Sequence, residues 1–495
     1  MNDGTLLAAV DMGSNSFRLE IGRYENGHIQ RVEYLKEMVR QGGGLGEDKT
    51  LSDQAMQRGW ECLARFAERL KGFDKSQVRA VATQTLREAR NREVFTERAQ
   101  QILGFPIEII SGLEEARLIY QGVTRLLPQS DERRLVVDVG GRSTELIMGR
   151  GFQPRAMESF RLGSVSWSGR YFADHRFTPE AFRTAEIAAK AVLDEALDIF
   201  PRDQWDVAYG SSGTVGAVAD TLTANGRDGD VITRESLDWL LDKLLKAQSA
   251  DNVRLEGIKD DRKLVIGGGL SVLRAIFDLF NIDHMLAAEG ALRQGALYDL
   301  IARESDETDL RERTVQWLSR RFGVDAAQAT RVSLVAAGLF EQIATTNAQN
   351  EKHSRKLNWA ARLHELGVHI SHDDMHHHGA YVLEHVDAPG FSMVELQRMS
   401  QLVLGQRGKL RKLETWLAQD ELLVKQLLAL RLAVALCHAR RDPDHRALTL
   451  QYQNRQAKLT APEGWAKRFP QSAWLLQEEA HAWAKVGVRL GVNLG

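Results

Sequence analysis

The sequence has little cysteine and little proline, and its charges nearly cancel. Its 495 residues include two cysteines, Cys62 and Cys437, and nine prolines. Two cysteines this far apart argue against a disulfide framework and favour a reducing compartment. The 65 lysines and arginines face 67 aspartates and glutamates, which gives a formal net charge of −2. This balance excludes a generally basic nucleic-acid coat and an acidic disordered tail, so we expect no nucleic-acid partner.

Long hydrophobic runs are also missing. The N-terminal residues show neither the charged segment nor the long apolar segment of a signal peptide. No apolar run approaches the roughly 18 residues that identify a membrane-spanning helix. The best candidate, residues 427–437, is interrupted by Arg431 and is typical of a core helix. We therefore predict a cytoplasmic protein with no transmembrane segment, and leave open a peripheral contact with the inner face of a membrane.

The order of predicted elements indicates the fold class. Strand-like and helix-like segments alternate through the first two thirds of the chain, and helical periodicity dominates from about residue 306. Such alternation is typical of an α/β fold. We predict one lobe at residues 1–125, a related second lobe at 126–305, and a helical domain at 306–495.

One motif, D-x-G-x-x-S-x-x-L, occurs twice, at residues 11–19 and 138–146, each time after an apolar strand. Glycine lets the backbone approach a phosphate closely, and successive turn amides form an anion-binding nest. The alternative to a phosphate-binding site is that these are two ordinary strand–turn–strand hairpins, which the pattern shared by both segments disfavours. Two such hairpins facing each other would hold one phosphate from both sides. The predicted phosphate-facing residues are Gly13, Ser14, Asn15, Gly140, Gly141 and Ser143.

The duplicated hairpin, together with other motifs in a fixed order, resembles the exopolyphosphatase/guanosine pentaphosphate phosphohydrolase (Ppx/GppA) family. The motifs lie at residues 11–17, 83–87, 111–119, 138–145, 210–214 and 290–295. The resemblance covers nearly the whole chain. It implies two duplicated actin-like lobes of the acetate kinase–Hsp70–actin, ribonuclease H-like fold, followed by an all-α HD-like C-terminal domain.

The resemblance also implies roles for single residues. Glu115 matches the glutamate that activates the attacking water, and Arg87 matches the arginine that neutralises phosphate oxygens. The implied cofactor is Mg²⁺, with K⁺ as an activator. The implied metal ligands are Asp138 and Glu145, with Asp11 contributing through water. A third turn, comprising Ser212, Gly213 and Thr214, matches a phosphate loop of the second lobe.

Each of these residues also has an ordinary structural explanation. A carboxylate in the first turn of a helix complements the helix dipole without any catalysis, and Glu115 and its neighbour Glu114 both fit that description. Asp138 at the end of a strand could merely cap a turn. Arg87 could be a solvated helix arginine. The surrounding motifs favour the functional interpretation, with Glu114 as the second choice for the base.

Two residues depart from the family pattern, and two glycine-rich segments have interpretations of their own. Arg142 stands where the family usually has glycine or alanine, and Arg18 where relatives often have histidine. Arg142 either adds charge to the site or points to solvent. The glycine-rich residues 41–46 are interpreted as a flexible connector. Residues 267–269, three glycines, are where an adenine pocket would lie in a kinase of this fold.

A histidine-rich segment raises the possibility of a second metal site. Seven of the 14 histidines lie between His364 and His385. Phosphohydrolases of the HD superfamily use a His-Asp pair on a helix, whereas here Glu365 follows His364. No distant aspartate completes a two-metal set. We expect an HD-like helical domain without the chemistry.

The leading hypothesis is therefore a Mg²⁺-dependent exopolyphosphatase that releases terminal orthophosphate from inorganic polyphosphate. The alternative within the same chemistry is removal of the 5′ γ-phosphate from guanosine pentaphosphate (pppGpp), with both activities in one protein allowed. An ATP-dependent small-molecule kinase of the same fold and a non-catalytic nucleotide sensor are the other classes. The family resemblance implies a homodimer.

Overall fold

The computed structural model describes residues 2–128, 130–303, 309–344 and 350–495. The chain forms two compact units, Met1–Thr308 and Asp309–Gly495. The predicted boundary between residues 305 and 306 lies outside the described residues. Among the described helices, none has both the length and the hydropathy needed to span a bilayer.

The first lobe is a mixed sheet with β1 at its centre and the strand order β3–β2–β1–β4–β5. Residues 7–10 of β1 are fully buried, as expected for an apolar strand covered on both faces. The elements of the lobe are β1 (Leu6–Met12), β2 (Ser16–Glu25), β3 (His28–Met38), α1 (Asp53–Arg69), β4 (Val78–Ala82), α2 (Gln84–Glu88), α3 (Arg92–Leu103), β5 (Ile107–Ile109) and α4 (Gly112–Leu126).

The second lobe repeats this arrangement with the strand order β10–β11–β9–β6–β7–β8. The first two strands in sequence, β6 and β7, are antiparallel. Strand β6 runs parallel to β9, as β1 does to β4. The predicted duplication is confirmed. The elements are β6 (Arg133–Val139), β7 (Thr144–Arg150), β8 (Gln153–Phe160), α5 (Ser164–Tyr171), α6 (Pro179–Leu193), α7 (Ala196–Ile199), β9 (Val207–Ser211), α8 (Ser212–Ala224), β10 (Val231–Thr233), α9 (Arg234–Ala247), α10 (Asp260–Lys263), α11 (Ile266–Leu279), β11 (His284–Ala287) and α12 (Leu292–Ala302).

Local pattern misjudged several elements. It predicted neither β3 nor β8, the outer strands of the two hairpin sheets, because each has few buried side chains to produce an apolar signal. Between residues 177 and 199 the chain forms two helices, α6 and α7. The glycines at 267–269 lie inside the first turns of α11, not in a loop before it.

The two lobes exchange their last helices. Helix α4 follows the first sheet in sequence but packs on β7 and β8 of the second sheet, while α12 packs on β1 of the first sheet. The two helices also touch each other at glycines: a β-carbon on Gly295 would lie 1.8 Å from the carbonyl oxygen of Leu118. A side chain at this point would force the helices apart. The predicted division at residue 125 therefore separates segments of sequence that are interleaved in space.

A buried ion network ties the exchanged helices to the first sheet. Asp299 of α12 pairs with Arg79 of β4 and with Arg117 of α4. Glu114 accepts from Arg117 Nε at 2.8 Å and from Arg79 Nη2 at 3.1 Å. Burial alone would raise the pKa of Asp299, but the surrounding arginines hold that pKa well below its usual range. The structure thus gives Glu114 a structural role, away from the catalytic candidate Glu115.

Replacing Asp299 with asparagine should destabilise the fold by about 3–5 kcal/mol, because it leaves buried arginines without their counter-charge. Urea unfolding at neutral pH measures the loss. The folded-state pKa of Asp299 is depressed, so its contribution is present above the usual aspartate pKa and is lost as the pH falls below it. The gap between wild type and variant should therefore shrink in acid.

The matched control for this substitution is Asp206→Asn. Asp206 pairs with Arg133 at the surface, where both side chains are about two-fifths exposed. An exposed pair contributes only about 0–1 kcal/mol. Equal losses in the two variants would contradict the role assigned to the buried network.

The C-terminal unit is predominantly helical, as predicted, but it is not all-α, because it contains a small sheet in the order β12–β13–β14. The apolar segment around residues 427–437 belongs to α19 in the core, where Arg431 pairs with Glu479 at 2.6 Å. The elements are α13 (Leu310–Arg321), α14 (Ala326–Ile343), α15 (Asn350–Arg362), α16 (Met375–His385), α17 (Met393–Gly405), α18 (Glu414–Gln419), α19 (Glu421–Leu436), β12 (Thr449–Gln453), β13 (Gln456–Thr460), α20 (Trp465–Arg468), α21 (Pro470–Ala484) and β14 (Arg489–Asn493).

Candidate active site

The turns of the two repeated motifs face each other across one cleft. The turn between β1 and β2 carries Ser14, and the turn between β6 and β7 carries Gly141; a β-carbon on Gly141 would lie 3.1 Å from that of Ser14. The Ser14 hydroxyl accepts from Thr85 Oγ1 at 2.7 Å, which braces the first turn. Residues of both turns line this cleft, among them Ser14 and Gly141.

Most of the predicted site residues line this cleft. Those that do are Asp11, Gly13, Ser14, Asn15, Glu115, Asp138, Gly140, Gly141, Ser143, Ser212, Gly213 and Thr214. Arg87 and Glu145 are not among the lining residues but adjoin those that are. The Nδ2 atom of Asn15 is buried and has no hydrogen-bond partner within the described part of the chain. An unpaired donor at this turn suits an anionic ligand.

The third turn holds a strained residue. Ser212, where β9 meets α8, has a φ of 91°, a region that residues with a side chain rarely adopt. Two hydroxyls secure it, since Ser212 Oγ and Thr214 Oγ1 donate to the Val139 carbonyl at 2.9 and 2.7 Å. Backbone strain of this kind collects at functional sites. The bonds to Val139, the last residue of β6, tie this turn to the turn between β6 and β7.

Glu115 lies in the first turn of α4, which begins at the N-cap Ser111. Its side chain is almost fully buried, and Arg87 Nη2 donates to its Oε2 at 3.2 Å. Burial raises the pKa of Glu115 to about 7; Arg87 opposes the shift and the charges of Asp11 and Asp138 add to it. A carboxylate with such a pKa is suited to accept a proton near neutral pH.

Arg87 lies beside Glu115 and is not among the residues that line the cleft. Its guanidinium bonds to Glu115, to the Gln84 side chain, and to the Ile110 carbonyl at 2.6 Å. The contact with Glu115 holds that carboxylate in place. The role of Arg87 in neutralising phosphate oxygens stays a prediction.

Two of the three predicted metal ligands, Asp138 and Glu145, form an acidic pair on the second lobe, and the third, Asp11, is on β1 of the first. Asp138 and Glu145 are opposite each other in the β6–β7 register. Burial raises the pKa of Asp138 to about 6, and burial followed by the charges of Glu115 and Asp138 raises the pKa of Glu145 well above its usual value. Ser159 Oγ donates to Glu145 at 2.7 Å.

Buried carboxylates that repel one another suit a divalent cation, and Mg²⁺ needs only one or two of them beside phosphate oxygens and water. Across the described ranges, no three His, Cys, Asp or Glu side chains converge as a ready-made metal cage. Asp138 and Glu145, with Asp11 nearby, are therefore the residues that would hold Mg²⁺ with help from the substrate.

The two motifs differ in charge at one equivalent position. Arg18 is opposite Asp11 in the β1–β2 register, where the second lobe has Glu145 opposite Asp138. Burial raises the pKa of Asp11, while Arg18 and Arg293 oppose that shift. The second lobe therefore offers carboxylates to a cation, and the first lobe offers a cationic arginine to an anion.

Sequence reasoning overlooked two lining residues, Arg262 and Ser164. Arg262 lies in α10 within a run of five charged residues, 259–263, that resembles a solvated surface. A β-carbon on Gly213 would collide with its guanidinium, so the glycine makes room for the arginine. Ser164 follows Gly163 at the start of α5, and this Gly-Ser junction was the one signal that could have indicated it.

Two glycine-rich segments proved to be parts of packed structure. In residues 41–46, Gly42 is buried and its N–H donates to the Ser14 carbonyl at 2.7 Å. We expected this segment to be a flexible connector, but it supports the turn between β1 and β2. In residues 267–269, a β-carbon on Gly268 would clash with Ser164 and Ser168 of α5. These glycines allow α11 and α5 to pack closely.

In the C-terminal unit, His364 and Glu365 are both buried. The Nδ1 atom of His364 lies 2.8 Å from the Ala361 carbonyl, and Glu365 pairs with Arg440. Glu365 stands at the position where HD phosphohydrolases have an aspartate, and its carboxylate is therefore paired with Arg440.

Comparisons with known proteins identify the family. The model of the Ppx/GppA phosphatase family matches residues 21–304, and the model of Ppx/GppA phosphatase domain III matches residues 310–480. An exopolyphosphatase-like protein of known structure is 27% identical with a TM-score of 0.55, covering 60% of this chain and 98% of that protein.

Two further solved structures are similar. The Aquifex aeolicus PPX-GPPA enzyme is 25% identical with a TM-score of 0.51, covering 59% of this chain and 98% of its own. An exopolyphosphatase from Cytophaga hutchinsonii shares the fold at 22% identity and a TM-score of 0.55, covering 60% of this chain and 98% of its own. With a family model matched over more than half its length and the domain III model over most of the rest, this chain belongs to the Ppx/GppA phosphatase family.

Proposed function

We propose that this phosphatase is an exopolyphosphatase, which hydrolyses the terminal phosphoanhydride bond of inorganic polyphosphate and releases orthophosphate. The observation that carries the proposal is the cleft between the two phosphate turns, with the buried Glu115–Arg87 pair at its side. The turns supply backbone and hydroxyl donors for a terminal phosphate, and Glu115 supplies a base for water.

The lining of the cleft supports polyphosphate over a nucleotide. Arg18 and Arg262 add positive charge, and no aromatic side chain is among the described lining residues on which a base could stack. A polyphosphate presents only phosphate oxygens, for which arginine is a suitable partner.

The residues act on the reaction in a simple order. The two turns hold the terminal phosphate so that a water can attack in line with the bond that breaks. Glu115 accepts a proton from that water as its oxygen bonds to phosphorus. The P–O bond to the next unit breaks, and the shortened chain leaves with the negative charge. Arg87 orients Glu115. When bound at Asp138 and Glu145, Mg²⁺ would neutralise charge on the phosphate oxygens.

The test is release of phosphate from long polyphosphate, from guanosine pentaphosphate and from ATP, each with Mg²⁺. We expect the highest kcat/KM with polyphosphate. Hydrolysis of guanosine pentaphosphate alone would replace this proposal with the alternative of the same chemistry. Transfer of phosphate from ATP to an acceptor, without release to water, would indicate a kinase.

A further inference from the structure

Arg142 belongs to the second phosphate turn, yet its guanidinium bonds to groups of the first lobe. Nη2 donates to Glu88 Oε2 at 3.1 Å, and Nη1 donates to the Gly42 carbonyl at 3.2 Å. The side chains of Arg142 and Glu88 are 22% and 14% exposed, so water screens their attraction only in part. The pair joins the two lobes across the cleft.

Glu88 continues this contact towards the catalytic pair. Its second oxygen accepts from Gln84 Nε2 at 2.6 Å, and Gln84 Oε1 accepts from Arg87 Nε at 2.9 Å. Arg87 Nη2 then donates to Glu115 at 3.2 Å. Residue 84 lies one helical turn before residues 87 and 88 on α2, which places their side chains side by side. A continuous series of side-chain hydrogen bonds therefore links Arg142 to the proposed base.

We propose that Arg142 and Glu88 form a latch between the lobes that, through Gln84, sets the orientation of Arg87 and Glu115 when the cleft is closed. The inference rests on the proposed function, because it assigns a role in that hydrolysis. Arg142 and Glu88 are positioning residues: the latch holds Glu88, Glu88 holds Gln84, and Gln84 limits the rotation of the Arg87 guanidinium. Without the latch, Glu115 would be held less firmly beside the attacking water.

The expected effect is on turnover more than on substrate binding. A displacement of about 1 Å in a reacting group can cost up to about 10²-fold in rate, so Arg142→Ala and Glu88→Ala should each lower kcat by about 10–10²-fold. KM for polyphosphate should stay within about threefold. Because both changes break the same latch, the double variant should be no slower than the slower single variant.

Two further variants serve as controls. Glu88→Gln has one acceptor oxygen in place of the two that Arg142 and Gln84 use, so it should recover only part of the lost turnover. Arg133→Ala removes an arginine from β6 of the same lobe, at an exposed pair with Asp206, and should leave kcat unchanged. Thermal unfolding of each variant confirms that it is folded.

A measurement without substrate tests the latch separately from the chemistry. Hydrogen exchange of backbone amides at residues 41–46 and 84–88 should be several-fold faster in Arg142→Ala and in Glu88→Ala than in wild type or Arg133→Ala. Faster exchange together with lower kcat supports the proposal.

Other results would overturn it. An increase in KM for Arg142→Ala with normal kcat would make Arg142, which also lines the cleft, a direct phosphate ligand. Faster exchange with unchanged kcat would make the pair merely structural, and additive losses in the double variant would separate the two residues. A wild-type protein that hydrolyses none of the substrates would refute the proposed function itself, and with it this positioning role.

Discussion

Glu115→Gln is expected to lower kcat for phosphate release by about 10²–10⁴-fold, the usual contribution of a general base. The amide keeps the size of the side chain and can still accept from Arg87 Nη2, which now donates at 3.2 Å. KM for polyphosphate should change little, because the phosphate turns are untouched. Steady-state kinetics of phosphate release, with thermal unfolding as a check on the fold, measures the effect.

The control is a glutamate that also lies in the first turn of a helix but is exposed. Glu93 of α3 satisfies both conditions, and Glu93→Gln should leave kcat unchanged. This comparison separates a base from a carboxylate that merely complements a helix dipole. Near-normal turnover of Glu115→Gln with unchanged KM would refute the assignment of Glu115 as the base.

Removal of the metal is expected to have the second large effect. Chelation with EDTA should abolish phosphate release. Asp138→Asn should raise the Mg²⁺ concentration needed for half-maximal rate by at least about 10–100-fold, because substitution of residues that only support metal ligands already costs this much. The substitution keeps the shape of the side chain but removes an anionic oxygen, which Mg²⁺ prefers as a ligand.

Calorimetric titration of Mg²⁺ in the presence of orthophosphate gives a readout that does not depend on turnover. Asp131→Asn is the matched control, because Asp131 lies just before β6 and its side chain is 95% exposed. If wild type is as active in EDTA as in Mg²⁺, or if the two variants bind Mg²⁺ equally well, the metal site is not at Asp138.

The turns of the site could be predicted from local sequence. A strand that ends in Asp-x-Gly and resumes at or after the motif serine makes a hairpin, and the successive N–H groups of such a turn can bind an anion. Two copies of the pattern are therefore enough to identify both hairpins, and Ser111 with the carboxylates after it marks the start of α4.

Contacts between distant segments could not be predicted in this way. Periodicity reports which residues are buried, not which segment buries them. The outer strands β3 and β8 have few buried side chains and gave little signal, and the exchange of α4 and α12 between the sheets gave none. The loop at residues 41–46 looked like a connector because its contact with Ser14 is a backbone hydrogen bond, which leaves no trace in side-chain composition.

The sequence by itself determined the chemical inventory: two glycine turns for phosphate, carboxylates at the end of β6 and the start of α4, and an arginine in α2. Tertiary structure alone decided how these groups act. Arg87 faces Glu115 instead of the cleft because β4 and β5 are neighbours in one sheet. For Arg142, local reasoning left two alternatives open, added charge in the site or a side chain that points to solvent. In the structure Arg142 contacts Glu88, which is 54 residues away in the chain, because the two lobes pack against each other there. A side chain's partner depends on the packing of whole sheets, which no local pattern contains.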